Sequence, residues 1–502
     1  MRCKGCQPTH AEVCCGPRGG RGDRMRLGID TTLSKRIATL AVPVVVGMLT
    51  ETLVNHVDTI LVSRLPGNVG IDGVAAIWLS LPVFWAIGGF FASLQVGTQA
   101  LVARRFGEER PEEAGKVLTN SLVVALLAGA AASAAGWFVI PRLFPLLNPN
   151  PEVVRLGSEY CQIRMLNIFS MVITFSFKGF FDAIGKTYVH MAASIAMNIV
   201  NLCMAVLLVY GFWGFPRLEV AGSAVATLSA TYVGLFVMLA WALKGSYRKG
   251  FGYFRLRNLD RRLMWEVVRL SFPSGLATIF LMSGFVFFLW VMGHLRAAPG
   301  LLDPLSFMPL AGPMLRNLDL VRPDLATSAT GVMLSILTLV FLTSFAFGTA
   351  TATLVGQSLG AKKPDLAERY GWESAKLGIY VMGALGLLLI AFPRAFLAIF
   401  TNKPDVIEFA VPSLRLMGSV TGLVSAGLVL VQALYGAGNP KFVMKAQAIL
   451  HFCCLIPLSY LLGVVLDLGM FGTWAAAAMY AILLSSIMAW KFRQGQWKQI
   501  QI

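Results

Sequence analysis

Twelve apolar stretches constrain what this chain can fold into more than any other feature. They run approximately over 37–62, 73–103, 117–140, 153–177, 187–212, 218–243, 264–293, 326–358, 370–392, 405–435, 442–465 and 470–490. A bilayer core about 30 Å thick takes roughly 20 apolar residues per helix, so each stretch is long enough to cross. Backbone groups facing lipid must be paired within their own segment, which predicts helices; the short alternating segments of a barrel are missing. Only 13% of the 502 residues are charged and 56% are hydrophobic, against roughly 25% charged in an ordinary globular domain. The expected class is an all-α polytopic membrane protein.

The net charge of +17 invites a nucleic-acid partner, but its distribution argues for a membrane instead. With the N-terminus placed in the cytoplasm, 31 of the 42 lysines and arginines fall on the inner side of the twelve spans. That is the positive-inside bias, and it predicts both termini cytoplasmic in the cell (inner) membrane, with membrane lipid as a partner and no nucleic acid. The loop "LKGSYRKGFGYFRLRNLDRR" at 243–262 is the most basic segment and is expected against anionic headgroups. Cys3, Cys6, Cys14 and Cys15 crowd a basic N-terminal tail without an apolar signal core. A disordered tail, with Met25 as an alternative first residue, is the simpler reading than a zinc site, and no metal is expected. Cys161, Cys203, Cys453 and Cys454 lie in apolar segments and read as free thiols.

The chain repeats itself. "LVARRFGEERPEEA" (101–114) aligns with "LVGQSLGAKKPDLA" (354–367) at an offset of 253 residues, and "PEVV" (151–154) with "PDVI" (404–407) at the same offset. "DAIGKT" (182–187) answers "YGAGNP" (435–440), again 253 on. Earlier, "AVPVVVGML" (41–49) resembles "SFPSGLATI" (271–279) at 230, so about 23 residues are inserted near 294–325. The organisation expected is a tail (1–32), a six-helix lobe (33–243), a basic linker (244–263), a second six-helix lobe (264–493) and a C-terminal tail (494–502). An even number of spans per repeat gives both the same orientation, related by a pseudo-two-fold axis along the membrane normal. Two such lobes can rock about a central cleft, which suits a transporter.

No nucleotide-driven motor is legible. "GKT" at 185–187 lacks the first glycine of a P-loop, whose place Phe180 takes, and reads as a tight turn. An ion gradient is then the energy source, with H⁺ or Na⁺ as coupling ion and no cofactor. The first span holds Glu51, Asn55, His56 and Asp58. On a helix, Glu51, Asn55 and Asp58 share one face, while His56 points away from Asp58. Ionisable groups at bilayer depth face a cavity or a partner, so the stripe is expected toward the interior of the first lobe. Solvation of Asp58 at the outer headgroups and a structural partner for Glu51 are the alternatives. Pro43 removes a backbone hydrogen bond within the same helix and predicts a kink there.

These features together resemble the MATE (multidrug and toxic compound extrusion) family. The resemblance spans about 33–493 and is carried by Pro43 with "VDT" (57–59), "GTQALVARRFGE" (97–108), "NIVN" (198–201), "VAGSAVAT" (220–227), "LVGQSLGA" (354–361) and "QALYGAGNP" (432–440). It implies a twelve-helix, two-lobed antiporter that exports organic, often cationic, compounds against H⁺ or Na⁺. Pro43 and Asp58 match the family's kinking proline and essential first-helix aspartate; Asn201 and Thr227 match ligands of its N-terminal cation site. A further aspartate of that site is replaced by Ala205. Hard cations favour several oxygen ligands, so the loss points to H⁺, with Glu51 able to compensate. In the second lobe, Leu281 and Phe288 stand opposite Glu51 and Asp58, which places coupling in the first lobe.

Gln95, Gln99 and Gln357 are candidates for the cleft wall, either as substrate ligands or as helix–helix bonds. A flippase for lipid-linked oligosaccharide or peptidoglycan precursors shares the two-lobed plan, but it needs Arg or Lys inside the cleft, and the basic residues here lie mostly in loops. A lipid-modifying enzyme would need a catalytic cluster at a membrane edge, which the sequence lacks. The expectation is a monomeric, non-enzymatic transporter of small molecules.

Overall fold

The computed structural model describes residues 28, 30–147, 150–293, 295 and 323–502. The cysteine-bearing tail and nearly all of the 294–325 insertion lie outside the described residues. The first lobe comprises α1 (Thr31–Ser63), α2 (Asn68–Ala92) continued by α3 (Leu94–Gly107), α4 (Pro111–Leu147), α5 (Pro151–Ala183), α6 (Tyr188–Tyr210) and α7 (Glu219–Leu243). A short α8 (Gly245–Phe251) leads to the second lobe. That lobe comprises α9 (Arg261–Gly293), α10 (Pro323–Gly360), α11 (Pro364–Ala391), a short α12 (Pro393–Ala398), α13 (Pro404–Gly436), α14 (Pro440–Leu450), α15 (Ile456–Tyr460) and α16 (Gly469–Gln494). Among the described residues, twelve helices are long and apolar enough to cross a membrane.

Local sequence sets where these helices begin and end. Proline occupies the first position of α4, α5, α10, α11, α13 and α14, where its missing N–H has no helical partner to lose. Acids follow it in the first turns of α4, α5, α11 and α13, where they favour the helix dipole. The "DAIGKT" and "YGAGNP" turns close alike: Gly185 and Gly438 both take positive φ, at 76° and 83°. In each turn the following residue donates back over five positions, Lys186 N–H to Phe181 O and Asn439 N–H to Leu434 O. Glycine reaches this left-handed cap without a Cβ clash. The eleventh span is less regular. π-helical turns at 451–455 and 461–465 flank α15, where Pro457 interrupts the α-helical ladder.

The repeat is an actual two-fold relation in space. A Cβ on Gly107 would meet the carbonyl of Gln357, and one on Gly360 would meet the carbonyl of Arg104. These are reciprocal partners 253 residues apart, as an isologous contact requires. Gly356 faces Ala103, its own equivalent, so the axis passes between them. Inside the lobes the register is the same: Gly179 packs on Gln95, and Gly348 on Gln432.

The lobes join through helices that cross the boundary. α1 packs against α10, and α9 against α2, α3 and α4. The described contacts lie toward the end of the molecule that carries Asp30 and Ile502, here termed the terminal face. The last residues seal it further: Trp497 stacks on Phe492 with ring centroids 4.5 Å apart, and Arg104 donates to Ile500 O at 2.9 Å.

Candidate functional site

α1 runs unbroken through Pro43. The side chains of Glu51, Asn55, His56 and Asp58 lie outside the described residues; their place on α1 still fixes their level. α1 packs on α6, with Gly47 against His190 and Ser194. Both helices leave the terminal face, so they run parallel. Asp58 lies eleven residues beyond Gly47, and Asn201 eleven beyond His190. At 1.5 Å per residue both are about 16 Å further on, level with each other.

Asn201 Nδ2 donates to Thr227 Oγ1 on α7 at 3.0 Å, and both side chains are buried. Asn201 Oδ1 and Ser223 Oγ have no hydrogen-bond partner among the described residues. Ala205, one turn beyond Asn201, is fully buried and supplies no oxygen. The backbone thus gathers Asp58, Asn201 and Thr227 at one depth on three helices, with an unused acceptor there.

A second charged feature lies nearer the terminal face. Lys178 Nζ stands 3.4 Å from Asp182 Oδ2 on α5, and both side chains are buried, at 1% and 0% exposed. Neither carboxylate oxygen takes a hydrogen bond from another described residue. His190 on α6 is buried as well, at the contact with Gly47 of α1. The apolar stretch ending at 177 misplaces this pair: α5 continues to Ala183, so Lys178 is an interior residue and no loop cation. Its signal was present in "FKGFFDA", opposite charges four apart among phenylalanines, the spacing of a helical ion pair. Interiors accept such charges only when paired, because an isolated one costs several kcal/mol (~3–5 when one partner is removed).

The pair lies directly under the lobe boundary. Thr353 Oγ1 of α10 donates to Asp182 O at 2.9 Å, and Gln357 Nε2 to Ala183 O at 2.7 Å. Gln99 Nε2 donates to Thr349 O at 3.0 Å and Thr353 Oγ1 at 2.9 Å. Of the two roles open to Gln99 and Gln357, the structure gives them helix–helix bonding: their amide nitrogens join the lobes. Gln95 is buried at the Gly179 contact within its own lobe. Arg164, another interior cation, stacks 4.4 Å over the Phe84 ring within the first lobe. Lys178 and Arg164 are therefore both occupied within the first lobe, while the third buried cation, Arg104, donates to Ile500 O. Cys161 and Cys454 are buried free thiols, whereas Cys203 and Cys453 are exposed on the helix surfaces.

Two apolar six-helix lobes about a pseudo-two-fold axis, with buried polar groups inside them, are the plan of a two-lobed membrane transporter. The MatE family profile matches residues 43–207 and 319–461, more than half of the chain, and the protein belongs to this MATE family. A probable multidrug resistance protein NorM of Thermotoga maritima is 22% identical over 476 residues, covering 93% of this chain and 94% of the relative. The multidrug resistance protein NorM of Burkholderia vietnamiensis is 25% identical over 469 residues, covering 91% and 92%. Among solved structures, a multidrug resistance MATE transporter in an outward-facing conformation superposes with a TM-score of 0.79 at 20% identity, covering 95% of this chain and 98% of the other. A MOP superfamily transporter from Pyrococcus furiosus gives 0.79 at 21% identity, covering 93% and 96%. The protein is accordingly a multi-pass membrane transporter of the multidrug efflux class.

Proposed function

We propose that the chain is a monomeric inner-membrane antiporter. In this reading it exports organic, cationic and amphipathic compounds against H⁺ by alternating access, with both termini in the cytoplasm. The carrying observation is the contrast between lobe interiors: Lys178 and Asp182 have Val431 and Tyr435 as their equivalents 253 residues on. In this reading the coupling machinery lies in the first lobe, while the buried Glu373 of the second is engaged by Asp30 N–H and by Ser34 of α1. Asp58 is the switchable charge, at the level of Asn201 and Thr227, with Glu51 and Asn55 on the same helix face. A proton removes the charge of Asp58, and release of that proton restores it. Either change alters what α1 can bury against α6 and α7. α1 also packs on α10 of the other lobe, so a change in its shape is felt at the lobe boundary. Pro43 supplies the weak point in its hydrogen-bond ladder.

Proton coupling is favoured over Na⁺ because Ala205 offers no ligand where a hard cation needs several oxygens. Membrane lipid and small-molecule substrates are the partners in this reading, and no cofactor is required. The test is efflux of a fluorescent organic cation from proteoliposomes driven by an imposed pH gradient. Efflux that follows the gradient, collapses with an uncoupler and survives replacement of Na⁺ by K⁺ is the expected result; strict Na⁺ dependence would reverse the choice of ion.

A further inference from the structure

The lobe boundary carries the same bond twice. Asp30 caps α1, accepting from the N–H groups of Thr32 and Leu33 at 3.1 and 3.2 Å. Its own N–H crosses to the second lobe and donates to Glu373 Oε1 on α11 at 2.7 Å. On the other side of the axis, Asp260 precedes α9 and accepts from Arg262 N–H at 2.8 Å. Its own N–H crosses to the first lobe and donates to Asn120 Oδ1 on α4 at 2.9 Å. Asp30 and Asp260 are 230 residues apart, and Asn120 and Glu373 are 253 apart. Those are the two offsets of the sequence repeat, so each bond is the symmetry mate of the other.

The acceptors differ in charge. Glu373 also takes Ser34 Oγ at 3.1 Å and lies 3.4 Å from Lys376 Nζ, while the Asp30 carboxylate pairs with Arg369 at 3.0 Å. Asn120 is a neutral amide, and its Nδ2 is spent on Lys116 O and Asn258 O, both at 2.8 Å. Both acceptors are buried. Hydrogen bonds with an ionised partner are about twice as strong as neutral ones.

We propose that the Asp30–Glu373 and Asp260–Asn120 bonds are paired latches that hold the terminal face shut, and that every transport cycle must release both. The inference rests on the two-lobe rocking proposed above. These four are positioning residues: they set the ratio of closed to open molecules without touching the transported compound. The Glu373 latch is the stronger of the two and holds the closed state longer.

The test is pulsed electron–electron resonance on the full chain in lipid nanodiscs, its native cysteines replaced and spin labels placed at Glu112→Cys and Lys363→Cys across the axis. Wild type should show a dominant short distance and a minor long one, the balance responding to tetraphenylphosphonium. Glu373→Ala should raise the long-to-short ratio roughly tenfold or more, given the worth of a charged hydrogen bond. Asn120→Ala should raise it less. Glu373→Gln, which keeps one acceptor for the Asp30 N–H, should fall between Glu373→Ala and wild type, and it is read in place of Glu373→Ala should the alanine variant not fold. A folded Glu373 variant with wild-type distances, in a protein whose wild type shows both distances, overturns the latch and leaves the rocking intact. A single invariant distance in wild type overturns the rocking reading and the latch with it.

Discussion

The interiors of the two lobes are built on one backbone plan and filled with different chemistry. In the first, α5 buries Lys178 against Asp182, and α6 and α7 bring Asn201 to Thr227. In the second, the residues equivalent to Lys178 and Asp182 are Val431 and Tyr435, both buried. Its polar centre is His451, which bonds Gln447 O at 2.7 Å and faces the Tyr480 ring at 4.7 Å between centroids. The first lobe thus buries an ion pair and an amide–hydroxyl bond, while this part of the second packs aromatic rings around an imidazole whose Nε2 has no hydrogen-bond partner among the described residues. Duplication supplied the scaffold twice, and the two copies bury different carboxylates: Asp182 beside Lys178 in the first, and Glu373 on α11, bonded across the lobe boundary to Asp30 N–H, in the second. What the difference teaches is that one duplicated backbone can carry different interior chemistry in its two copies, and the proposed mechanism puts its coupling charge in only one of them.

The largest expected effect comes from removing the switch. Asp58→Asn should abolish gradient-driven efflux while leaving expression and thermal unfolding close to wild type. Wild-type transport in that variant would move coupling out of this helix and break the comparison. Next is the buried pair. Asp182→Asn leaves Lys178 unpaired and should destabilise the protein by about 3–5 kcal/mol. Lys178→Met with Asp182→Leu, imitating the apolar second lobe, should recover most of that stability in a thermal unfolding assay. If the recovered double variant also pumps at the wild-type rate, the pair is structural only and the one-sidedness rests on Asp58.

A smaller effect tests the symmetric part. Gly107→Ala and Gly360→Ala each press a methyl group onto a carbonyl across the axis, at Gln357 and Arg104. Overpacking of this kind costs typically ~1–3 kcal/mol, so each should slow transport, and by similar factors because the sites are mates. Unequal effects would show that the two sides of the axis move differently. The smallest effect is expected in the second lobe. Tyr480→Phe removes a hydroxyl 3.4 Å from His451 Nδ1, a contact at the long end of hydrogen bonding. Its stability change should stay within about 1 kcal/mol and efflux should be unchanged. Lost coupling in that variant would make the second lobe a participant.

Much of this was legible in the chain. Lipid cannot satisfy backbone groups, so the number of spans follows from hydropathy alone, and the repeat offsets of 230 and 253 foretold the axis. Asp58, Asn201 and Thr227 could be singled out as candidates because polar groups stand out in an apolar run, and Pro43 because it removes a helical hydrogen bond. Lys178 and Asp182 were hidden because they sit beside a turn, where charge reads as solvated. Only the packing of α10 over the end of α5 shows them to be enclosed.

Gln99 and Gln357 illustrate the same limit, since an amide in an apolar helix has equal chemistry toward a substrate or a neighbouring carbonyl. The sequence by itself determined the number of spans and the duplication, both of which depend on residue type and spacing. Tertiary structure alone decided which groups are dry, which amides join the lobes and where the two caps cross. Those properties depend on what a second segment, hundreds of residues away, brings within 3 Å.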